Sequence, residues 1–318
     1  MSCCGFISTF CVFVVSVQLI CGVFRFLYQQ FIGPLLNGKS TDFKKYGQWA
    51  LVTGATDGIG KEYARSLAKR GLNIILVSRT LSKLETVAKE ISEAFNVETA
   101  VIDVNFTSGP EIYDKIKEKI HGKEIGILVN NVGMGYITPD YFLSIPNRDQ
   151  MIKDMIQCNV LSIPMMCSII LPQMVERKKG LVITISSLSA IIPAGCMTVY
   201  SATKAFAHKF SEDLSMEYGK HGIKVQSILP GPVATNMTRL KKGSLMAPKA
   251  DKFVESALLT VDSAPYSTGY FPHVIFQVIT QFLSFLMPSY LTSLTLKTME
   301  NVRNRSIKKG LYTPVASQ

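Results

Sequence analysis

Apolar and polar residues alternate in blocks along most of the chain. From Trp49 onward, apolar runs of four to six residues are separated by longer stretches in which apolar positions recur with a helical period. The first pattern predicts buried strands and the second predicts amphipathic helices, as over residues 61–69 and 81–94. The predicted strands cover residues 49–53, 73–77, 98–102, 127–130, 181–186 and 224–229. Because parallel strands joined by helices form right-handed crossovers, we predict an α/β fold with a Rossmann-type doubly wound parallel sheet.

A continuous apolar segment precedes this pattern. Residues 6–24 are nineteen mostly apolar residues, about the length that crosses a hydrocarbon core, and residues 1–24 hold no charged side chain. A cleaved secretory signal is the alternative, but such a signal begins with a basic residue and none precedes this run. Basic residues follow the run instead, at Arg25, Lys39, Lys44 and Lys45. By the positive-inside rule, we predict an N-terminal membrane anchor helix with the rest of the chain in the cytosol.

Two later apolar regions resemble membrane spans in a hydropathy plot. Residues 182–199 include Ser187 and Pro193, and we interpret them as a core strand followed by a site loop. Residues 263–296 contain no formally charged side chain, but their prolines argue against one straight spanning helix. For this second region we favour an interfacial helix or an apolar lid beside the substrate, while a span, a hairpin or ordinary core stay open.

Composition narrows the classes of function. The chain has 318 residues, of which 47% are hydrophobic and 18% charged, and this fits one large α/β domain with an apolar addition. The formal net charge of +11 suits an anionic membrane face or an anionic substrate, but no basic tract is interleaved with aromatic residues, so nucleic acid is not expected as a partner. The seven cysteines include no Cys-x-x-Cys pair and the four histidines are scattered, so we expect a reducing compartment and no metal.

A glycine-rich turn follows the first predicted strand and opens the first predicted helix. Its glycines are Gly54, Gly58 and Gly60. Glycines let the backbone approach a pyrophosphate closely, and the free N–H groups at the positive end of the helix attract its charge. Because the turn lies between a strand and a helix, we interpret it as a dinucleotide site rather than a chance cluster.

Tyr200 and Lys204 are the candidate catalytic pair. Residues four apart share one face of a helix, so the Lys204 ammonium can lie near the Tyr200 phenol and favour its ionised form. This would make a tyrosine, with an ordinary pKa of about 10, a usable proton donor near neutral pH. The same spacing occurs at Tyr113 and Lys117, but only Tyr200 has a serine, Ser187, thirteen residues upstream. We therefore predict a nicotinamide-dependent carbonyl reductase that uses Tyr200, and we interpret the second match as unrelated to catalysis.

These motifs resemble those of the short-chain dehydrogenase/reductase superfamily in order and spacing, from about residue 47 to residue 270. The marks are the Gly-x-x-x-Gly-x-Gly turn, Asp103-Val104, Asn130-Asn131-Val132-Gly133, Asn159, Ser187, Tyr200, Lys204 and Pro230-Gly231-Pro232-Val233-Ala234-Thr235. The resemblance implies that Asp103 holds the adenine, that Asn130 shapes the floor of the cofactor site, and that Thr235 reaches the nicotinamide.

The resemblance also implies roles for four catalytic residues. Ser187 would donate a hydrogen bond to the substrate carbonyl, and Tyr200 would give its proton to the carbonyl oxygen. Lys204 would bind the ribose hydroxyls and depress the pKa of Tyr200, and Asn159 would hold a water in the proton relay. The residues expected at the cofactor are Gly54, Thr56, Asp57, Gly58, Ile59, Gly60, Ser78, Arg79, Asp103, Asn130, Tyr200, Lys204, Pro230, Val233 and Thr235.

The residues after the second predicted strand indicate which dinucleotide is bound. An acidic side chain there would bind the ribose of NAD and repel a 2′-phosphate. This chain has Ser78 and Arg79 at that place, and a guanidinium suits a phosphate. We therefore predict NADP(H), against which Asp57 counts slightly, because some NADP enzymes have a basic residue there.

A closer resemblance is to the 17-beta-hydroxysteroid dehydrogenase type 3 and type 12 branch, which includes very-long-chain 3-oxoacyl-CoA reductases and hydroxysteroid dehydrogenase-like proteins. Its marks cover residues 49–61, 127–134, 171–177 and 225–230. The resemblance implies NADPH-dependent reduction of a lipid ketone, either a 3-oxoacyl-CoA or a 17-ketosteroid, at the endoplasmic reticulum membrane. A retinal or other lipid-carbonyl reductase and a non-catalytic NADP-binding scaffold stay open, as does a homodimer.

Three domains are predicted from these features. They are an anchor and connector over residues 1–45, an NADP-binding domain over residues 46–262, and an apolar lid or membrane-associated segment with a basic tail over residues 263–318. The printed sequence shows no dilysine retrieval signal in its last residues, so mitochondrial placement stays open.

Overall fold

The structure is a computed structural model that describes residues 3–28, 32–33, 41–240, 242–261 and 263–313. Its strands are β1 (Trp49–Thr53), β2 (Asn73–Ser78), β3 (Thr99–Asp103), β4 (Ile125–Asn130), β5 (Gly180–Ile185), β6 (Ile223–Ile228) and β7 (Tyr266–Ser267). They form one parallel sheet in the order β3-β2-β1-β4-β5-β6-β7, which confirms the predicted doubly wound architecture. The first six are the predicted strands, with ends within two residues of the expected ones. β7 was not predicted, because a two-residue strand carries no periodic pattern.

Helices connect the strands and extend the chain at both ends. They are α1 (Cys3–Leu27), α2 (Gly58–Lys69), α3 (Leu81–Phe95), α4 (Glu111–Lys119), α5 (Arg148–Met155), α6 (Ser162–Arg177), α7 (Thr198–Tyr218), α8 (Ala250–Leu258), α9 (Phe271–Leu286) and α10 (Pro288–Lys308). The two helices expected over residues 61–69 and 81–94 are α2 and α3. A π-helical segment, Ile156–Leu161, joins α5 to α6.

The hydrophobic core lies between the sheet and the helices that cover it. β1, β5 and β6 contribute Leu51, Val182 and Val225 to one large cluster of buried side chains, and α4 and α6 contribute Ile116 and Met174. Every residue of β1, β4 and β5 is buried. Central parallel strands that are covered on both faces have nearly continuous apolar sequences, and this is why the sequence pattern predicted them well.

Within the described part of the chain, one helix is long and apolar enough to cross a membrane, from Arg148 to Arg177 through α5, the π segment and α6. Half of its most apolar window is buried inside the protein, and Ile170 and Met174 belong to the hydrophobic core. Its composition is therefore explained by core packing. Residues 182–199 also resemble a membrane span in a hydropathy plot. In the structure they form the end of β5 and the loop that leads into α7, as predicted.

The chain divides into two compact units. The smaller comprises residues 1–41 and 258–264, and the larger comprises residues 42–257 and 265–318. α1, in the smaller unit, covers the predicted anchor and exposes large apolar side chains along its length, among them Ile7, Phe10, Phe13, Ile20 and Phe24. Lys39, one of the basic residues expected to orient the anchor, lies outside the described residues.

α9 has its apolar side chains on the outside. His273, Val274 and Thr280 are buried on its inner face. Its outer face exposes Ile275, Phe276, Val278, Ile279, Phe282, Phe285 and Leu286. A helix at the surface of a soluble domain normally shows the reverse arrangement, with polar side chains outside. Pro288 begins the next helix, so residues 263–296 do not form one straight helix, as their prolines predicted.

Candidate active site

The carboxyl ends of β1 and β4 lie at the point where the strand order reverses. There the Thr53 hydroxyl oxygen accepts hydrogen bonds from the main-chain N–H groups of Asn131 and Val132, each at 3.0 Å. In open parallel sheets, ligands bind in the crevice at such a point. The structure has a cavity of about 470 Å³ here, within the usual size range of a ligand site.

The glycine-rich turn lines this cavity. Gly54 and Gly58 have φ values of +66° and +53°, a left-handed conformation that residues with a side chain rarely adopt. A Cβ on Gly58 would also lie 3.0 Å from Cγ2 of Thr235, so the turn approaches the segment after β6 closely. α2 begins at Gly58, and the free N–H groups of its first turn favour a negatively charged ligand.

Gly60 does not line the cavity, but it leaves room for close packing of the neighbouring chain. A Cβ at this position would lie 2.3 Å from Nδ2 of Asn131 and 2.3 Å from the carbonyl oxygen of Gly54. The Asn131 side chain donates hydrogen bonds to the carbonyls of Thr53 and Gly54, at 2.9 and 3.2 Å. Asn131 therefore fixes the shape of the glycine-rich turn from the end of β4, and Gly60 leaves it the room to do so.

Ser187, Tyr200 and Lys204 line the same cavity. The Ser187 hydroxyl oxygen accepts hydrogen bonds from the N–H and the hydroxyl of Ser189, at 3.1 and 3.0 Å, which leaves the Ser187 proton available for donation. The Ser187 side chain also lies close enough to Tyr200 to influence the pKa of its phenol. The Lys204 ammonium donates to the carbonyl of Ile185 at 2.9 Å. The cluster thus presents two hydroxyl groups and an ammonium to one cavity, a set that can polarise and protonate a carbonyl oxygen.

Burial dominates the ionisation of this cluster. Burial raises the pKa of Tyr200, and the nearby Ser187 side chain, which lowers it, opposes this effect only in part. Burial also lowers the pKa of Lys204 to about 8. The expectation that the pKa of Tyr200 is depressed is therefore wrong for this structure, because desolvation of the phenolate outweighs the effect of its neighbours. Tyr200 is protonated at neutral pH, the state that a proton donor needs.

Asn159 lies in the π-helical segment and is almost fully buried. Its Nδ2 donates to the carbonyl of Met134 at 2.8 Å and to the hydroxyl of Thr203 at 3.0 Å, and its Oδ1 accepts from the N–H of Met134 at 2.8 Å. π-Helical segments are frequent at functional sites. Asn159 therefore fastens the chain after β4 to α7, while its expected contact with a relay water stays a prediction.

Two cationic side chains, Arg79 and Lys83, line the cavity after the end of β2. Beside them, the hydroxyls of Ser78 and Thr56 are 3.0 Å apart. A guanidinium and an ammonium at one place suit a phosphate. Asp57 also lines the cavity, but its carboxylate accepts a hydrogen bond from the Asn236 side chain at 2.9 Å.

Most predicted site residues are brought together by the fold. Those that line the cavity are Gly54, Thr56, Asp57, Gly58, Ile59, Ser78, Arg79, Ser187, Tyr200, Lys204, Pro230, Val233 and Thr235. Gly60, Asp103, Asn130 and Asn159 are not among the lining residues. In the part of the chain that the structure describes, no group of three or more His, Cys, Asp or Glu side chains is placed to hold a metal ion.

Two of the predicted cofactor residues, Asp103 and Asn130, do not line the cavity, and their predicted contacts with a cofactor stay predictions. The Asp103 carboxylate is paired with Lys115 at 2.9 Å, and the residues that follow it, from Val104 to Thr107, line the cavity in its place. Asn130 is buried, and its side chain donates to the sulfur of Cys167 at 3.6 Å. Successive side chains of a strand point to opposite faces, so the next residue, and not Asn130, faces the glycine-rich turn.

Lys83 and Asn131 line the cavity and Ser189 contacts Ser187, although none of the three was among the predicted site residues. Each had a local signal: Lys83 follows Arg79 by one helical turn, Asn131 is the second member of an Asn pair, and Ser189 follows Ser187 by two positions.

The second Tyr-x-x-x-Lys match is in the hydrophobic core. Tyr113 is 5% exposed, and its ring packs edge-on against Phe106. Tyr113 does not line the cavity.

His273 fastens the first turn of α9 to the wall of the cavity. The side chain is fully buried, its Nδ1 accepts a hydrogen bond from the N–H of Gly231 at 3.2 Å, and its Nε2 donates to the carbonyl of Met246 at 3.1 Å. Burial lowers the pKa of His273, so the ring is neutral at neutral pH. Because Gly231 lines the cavity, α9 starts directly behind the site.

Asp140 connects α10 to the loop after β4 and the loop before α7. Its carboxylate, which is 1% exposed, forms an ion pair with Arg303 and accepts a hydrogen bond from the Tyr312 hydroxyl. Its main-chain N–H donates to the carbonyl of Cys196 at 2.9 Å. Through its carboxylate and its main-chain N–H, Asp140 thus joins the loop after β4 to the C-terminal residues and to the loop before α7.

Comparison with known proteins agrees with this geometry. A family model described as short chain dehydrogenase matches residues 48–244. The chain is 48% identical over 282 residues to the very-long-chain 3-oxoacyl-CoA reductase of Rattus norvegicus, covering 88% of this chain and 86% of that protein. It is 50% identical over 229 residues to the protein of the same name from Homo sapiens, covering 72% and 73%. Among solved structures, a short-chain dehydrogenase from Sphingobium yanoikuyae in complex with NADPH matches with a TM-score of 0.63 and 25% identity, covering 76% of this chain and 95% of that one.

Proposed function

The chain belongs to the short-chain dehydrogenase family, and we propose that it uses NADPH to reduce the ketone of a very-long-chain 3-oxoacyl-CoA. The observation that carries this proposal is the joint placement of Ser187, Tyr200 and Lys204 on one cavity with the glycine-rich turn. The 48% identity to a reductase of that name supports an acyl-CoA substrate over a 17-ketosteroid.

The residues that line the cavity fit an NADP molecule. The backbone at Gly54 and Gly58 has no Cβ and positive φ, so a pyrophosphate can approach the free N–H groups of α2. Arg79 and Lys83 would bind the 2′-phosphate, and Lys204 would bind the ribose hydroxyls. NADPH, when bound, supplies the hydride that the carbonyl carbon receives.

The side chains of the cluster supply the proton and the polarisation. Ser187 donates a hydrogen bond to the carbonyl oxygen of the substrate, since its own oxygen is already occupied by Ser189. Tyr200 is protonated because burial raises its pKa, and it gives its proton to the same oxygen. The Lys204 ammonium, on the same face of α7, stabilises the phenolate that remains. Asn159 keeps the wall formed by Met134 in place.

A lipid substrate accounts for the two apolar helices outside the sheet. A very long acyl chain partitions into a bilayer, since each methylene removed from water contributes about 0.8 kcal/mol. α1 would anchor the protein, and the exposed apolar face of α9 would rest against the membrane surface. We place the protein in the endoplasmic reticulum membrane with its catalytic domain toward the cytosol, and the mitochondrion is the alternative.

One assay tests the proposed function and its rivals together. Purified full-length protein is given NADPH and, in separate reactions, a C18 3-oxoacyl-CoA, androstenedione or retinal, and NADPH oxidation is followed. We expect the highest kcat/KM with the acyl-CoA. Preference for androstenedione would assign a ketosteroid reductase, and preference for retinal would assign another lipid-carbonyl reductase. Binding of NADPH without turnover of any carbonyl would support a scaffold.

A further inference from the structure

A second cavity lies along α9. This open groove has a volume of about 260 Å³ and is lined by Ile191, Ile192, Pro193, Thr280, Gln281, Ser284 and Phe285, which we call the α9 groove. We infer that the α9 groove binds the aliphatic chain of the substrate while the ketone lies at Ser187 and Tyr200. The inference rests on the proposed function, because it assigns the tail of the proposed substrate.

The loop side of the groove leads directly from the catalytic serine. Ser187 caps the short 3-10 turn Leu188–Ala190, and the N–H groups of Ile191 and Ile192 both donate to the carbonyl of Leu188. At the rise of about 2 Å per residue in such a turn, the groove begins about 8 Å along the chain from Ser187. A molecule with its ketone at Ser187 therefore has the groove within reach of its tail.

The helix side of the groove leads from the wall of the cofactor cavity. His273, in the first turn of α9, is hydrogen-bonded to Gly231, which lines that cavity. Thr280 lies seven residues further along α9, about 10 Å at the helical rise of 1.5 Å per residue. Thr280 and Ser284 both line the α9 groove. α9 therefore runs from the catalytic cavity to the groove, so two separate chain segments connect them.

The lining of the groove suits a hydrocarbon rather than a charged group. It contains no charged side chain, and Ile191, Ile192 and Pro193 are apolar, as is Phe285, which is 83% exposed and forms the outer rim of the groove. The Thr280 hydroxyl donates to the carbonyl of Phe276 at 2.6 Å, so it needs no partner from a ligand. The small side chain of Ser284 leaves the space that the groove occupies. A CoA phosphate would find no cation in this lining, which favours the acyl end of the substrate.

A pair of tryptophan variants on α9 tests the inference. Ser284→Trp fills the groove, whereas Ile279→Trp adds the same side chain to the outer face of the same helix, where Ile279 is 54% exposed. For Ser284→Trp we expect kcat/KM for a C18 3-oxoacyl-CoA to fall about tenfold or more through KM, while kcat/KM for acetoacetyl-CoA stays within about twofold. Ile279→Trp should leave both values within about twofold. Equal losses for long and short substrates, or no loss for the long one, would overturn the inference.

Photo-crosslinking separates this inference from the proposed reaction. NADPH-loaded full-length protein is irradiated with an acyl-CoA that carries a diazirine in the middle of its chain, and labelled peptides are mapped by mass spectrometry. We expect labelling of the peptide with residues 191–193 in the wild type and in Ile279→Trp, and its loss in Ser284→Trp. Labelling of this peptide without turnover would refute the proposed reductase activity but support binding of the acyl chain in the α9 groove. Turnover with no labelling of residues 191–193 would refute binding of the acyl chain in the α9 groove but support the proposed reductase activity.

Discussion

Lys204 lies with its Nζ atom 5.8 Å from the centre of the Tyr200 ring, one turn further along α7. The ammonium is buried, and its hydrogen bond to the Ile185 carbonyl fixes it at the end of β5. A phenol and an ammonium are thus held at one wall of the cavity by contacts within the protein. Preorganisation of this kind reduces the entropy that the reaction must lose.

Tyr200→Phe should abolish ketone reduction, because it removes the proton donor and leaves Lys204 in place. We expect kcat to fall by about 10² to 10⁴. The Kd for NADPH, measured by fluorescence titration, should change only a few-fold. Tyr113→Phe is the matched control, since Tyr113 is followed by a lysine at the same spacing but lies in the core. Substantial activity in Tyr200→Phe would show that Tyr200 is not the proton donor.

The pH profile should reveal the buried lysine. Burial lowers the pKa of Lys204 to about 8, so its charge is present below that pH and is lost as the pH rises through it. The pKa of Tyr200 is raised, so Tyr200 stays protonated over this range. We expect kcat/KM for NADPH, which reports the free enzyme, to fall by about tenfold per pH unit above about pH 8. A flat profile up to pH 10, or the same fall in Lys204→Met, would contradict this reading.

Arg79→Asp should shift the cofactor preference from NADPH toward NADH. A carboxylate at this place replaces attraction for the 2′-phosphate with repulsion. Loss of one charged hydrogen bond to the phosphate corresponds to about a tenfold to hundredfold loss in kcat/KM for NADPH. Lys89→Asp makes the same change of charge on α3, where Lys89 is 76% exposed and does not line the cavity, and it should leave the preference unchanged. Equal NADPH to NADH ratios in both variants would exclude a phosphate contact by Arg79.

Asp140→Asn should destabilise the protein by leaving Arg303 without its carboxylate. Removal of one partner from a buried ion pair costs about 3 kcal/mol in the free energy of unfolding, which chemical denaturation measures. Arg303→Met in the Asp140→Asn background should cost less than the sum of the two single changes, because the charge left unpaired is then absent. Strict additivity in this double-mutant cycle would show that the two side chains do not interact.

Fluorescence should locate α9 at a membrane surface. The chain has a single tryptophan, the buried Trp49, so an added tryptophan on the surface is a clear reporter. In vesicles, Phe282→Trp on the outer face of α9 should be quenched by brominated phospholipids at least about twofold more than Met216→Trp on α7. Both positions are exposed, Phe282 at 61% and Met216 at 72%. Equal quenching would place α9 in water.

Bromine depth gives a second test of the same surface. A helix that lies in the interface is quenched most by bromines near the headgroups, whereas a spanning helix is quenched most by bromines near the chain ends. We expect the first result for Phe282→Trp. The second would make α9 a membrane span, despite its sixteen residues.

Six strands of the sheet, and the residues Ser187, Tyr200 and Lys204 that line the cavity, could be predicted from local sequence patterns. Strands such as β1 and β4 are buried on both faces, so their apolar runs are continuous and stand out in any sequence context. The glycine-rich turn and the pair Tyr200 and Lys204 are local patterns, because backbone conformation and helical spacing involve only near neighbours in the chain.

Contacts between residues far apart in the chain could not be predicted from local patterns. Asp140 and Arg303 are 163 residues apart, and no local pattern joins them. The pKa of Tyr200 is raised rather than lowered because desolvation depends on all the atoms packed around the phenol. The sequence favoured an interfacial helix or an apolar lid within residues 263–296, but periodicity shows only that a helix has an apolar face, and the packing of α9 set the direction of that face. The packing of the folded chain sets which groups are buried and which way each helix face points, and local sequence patterns do not contain this information.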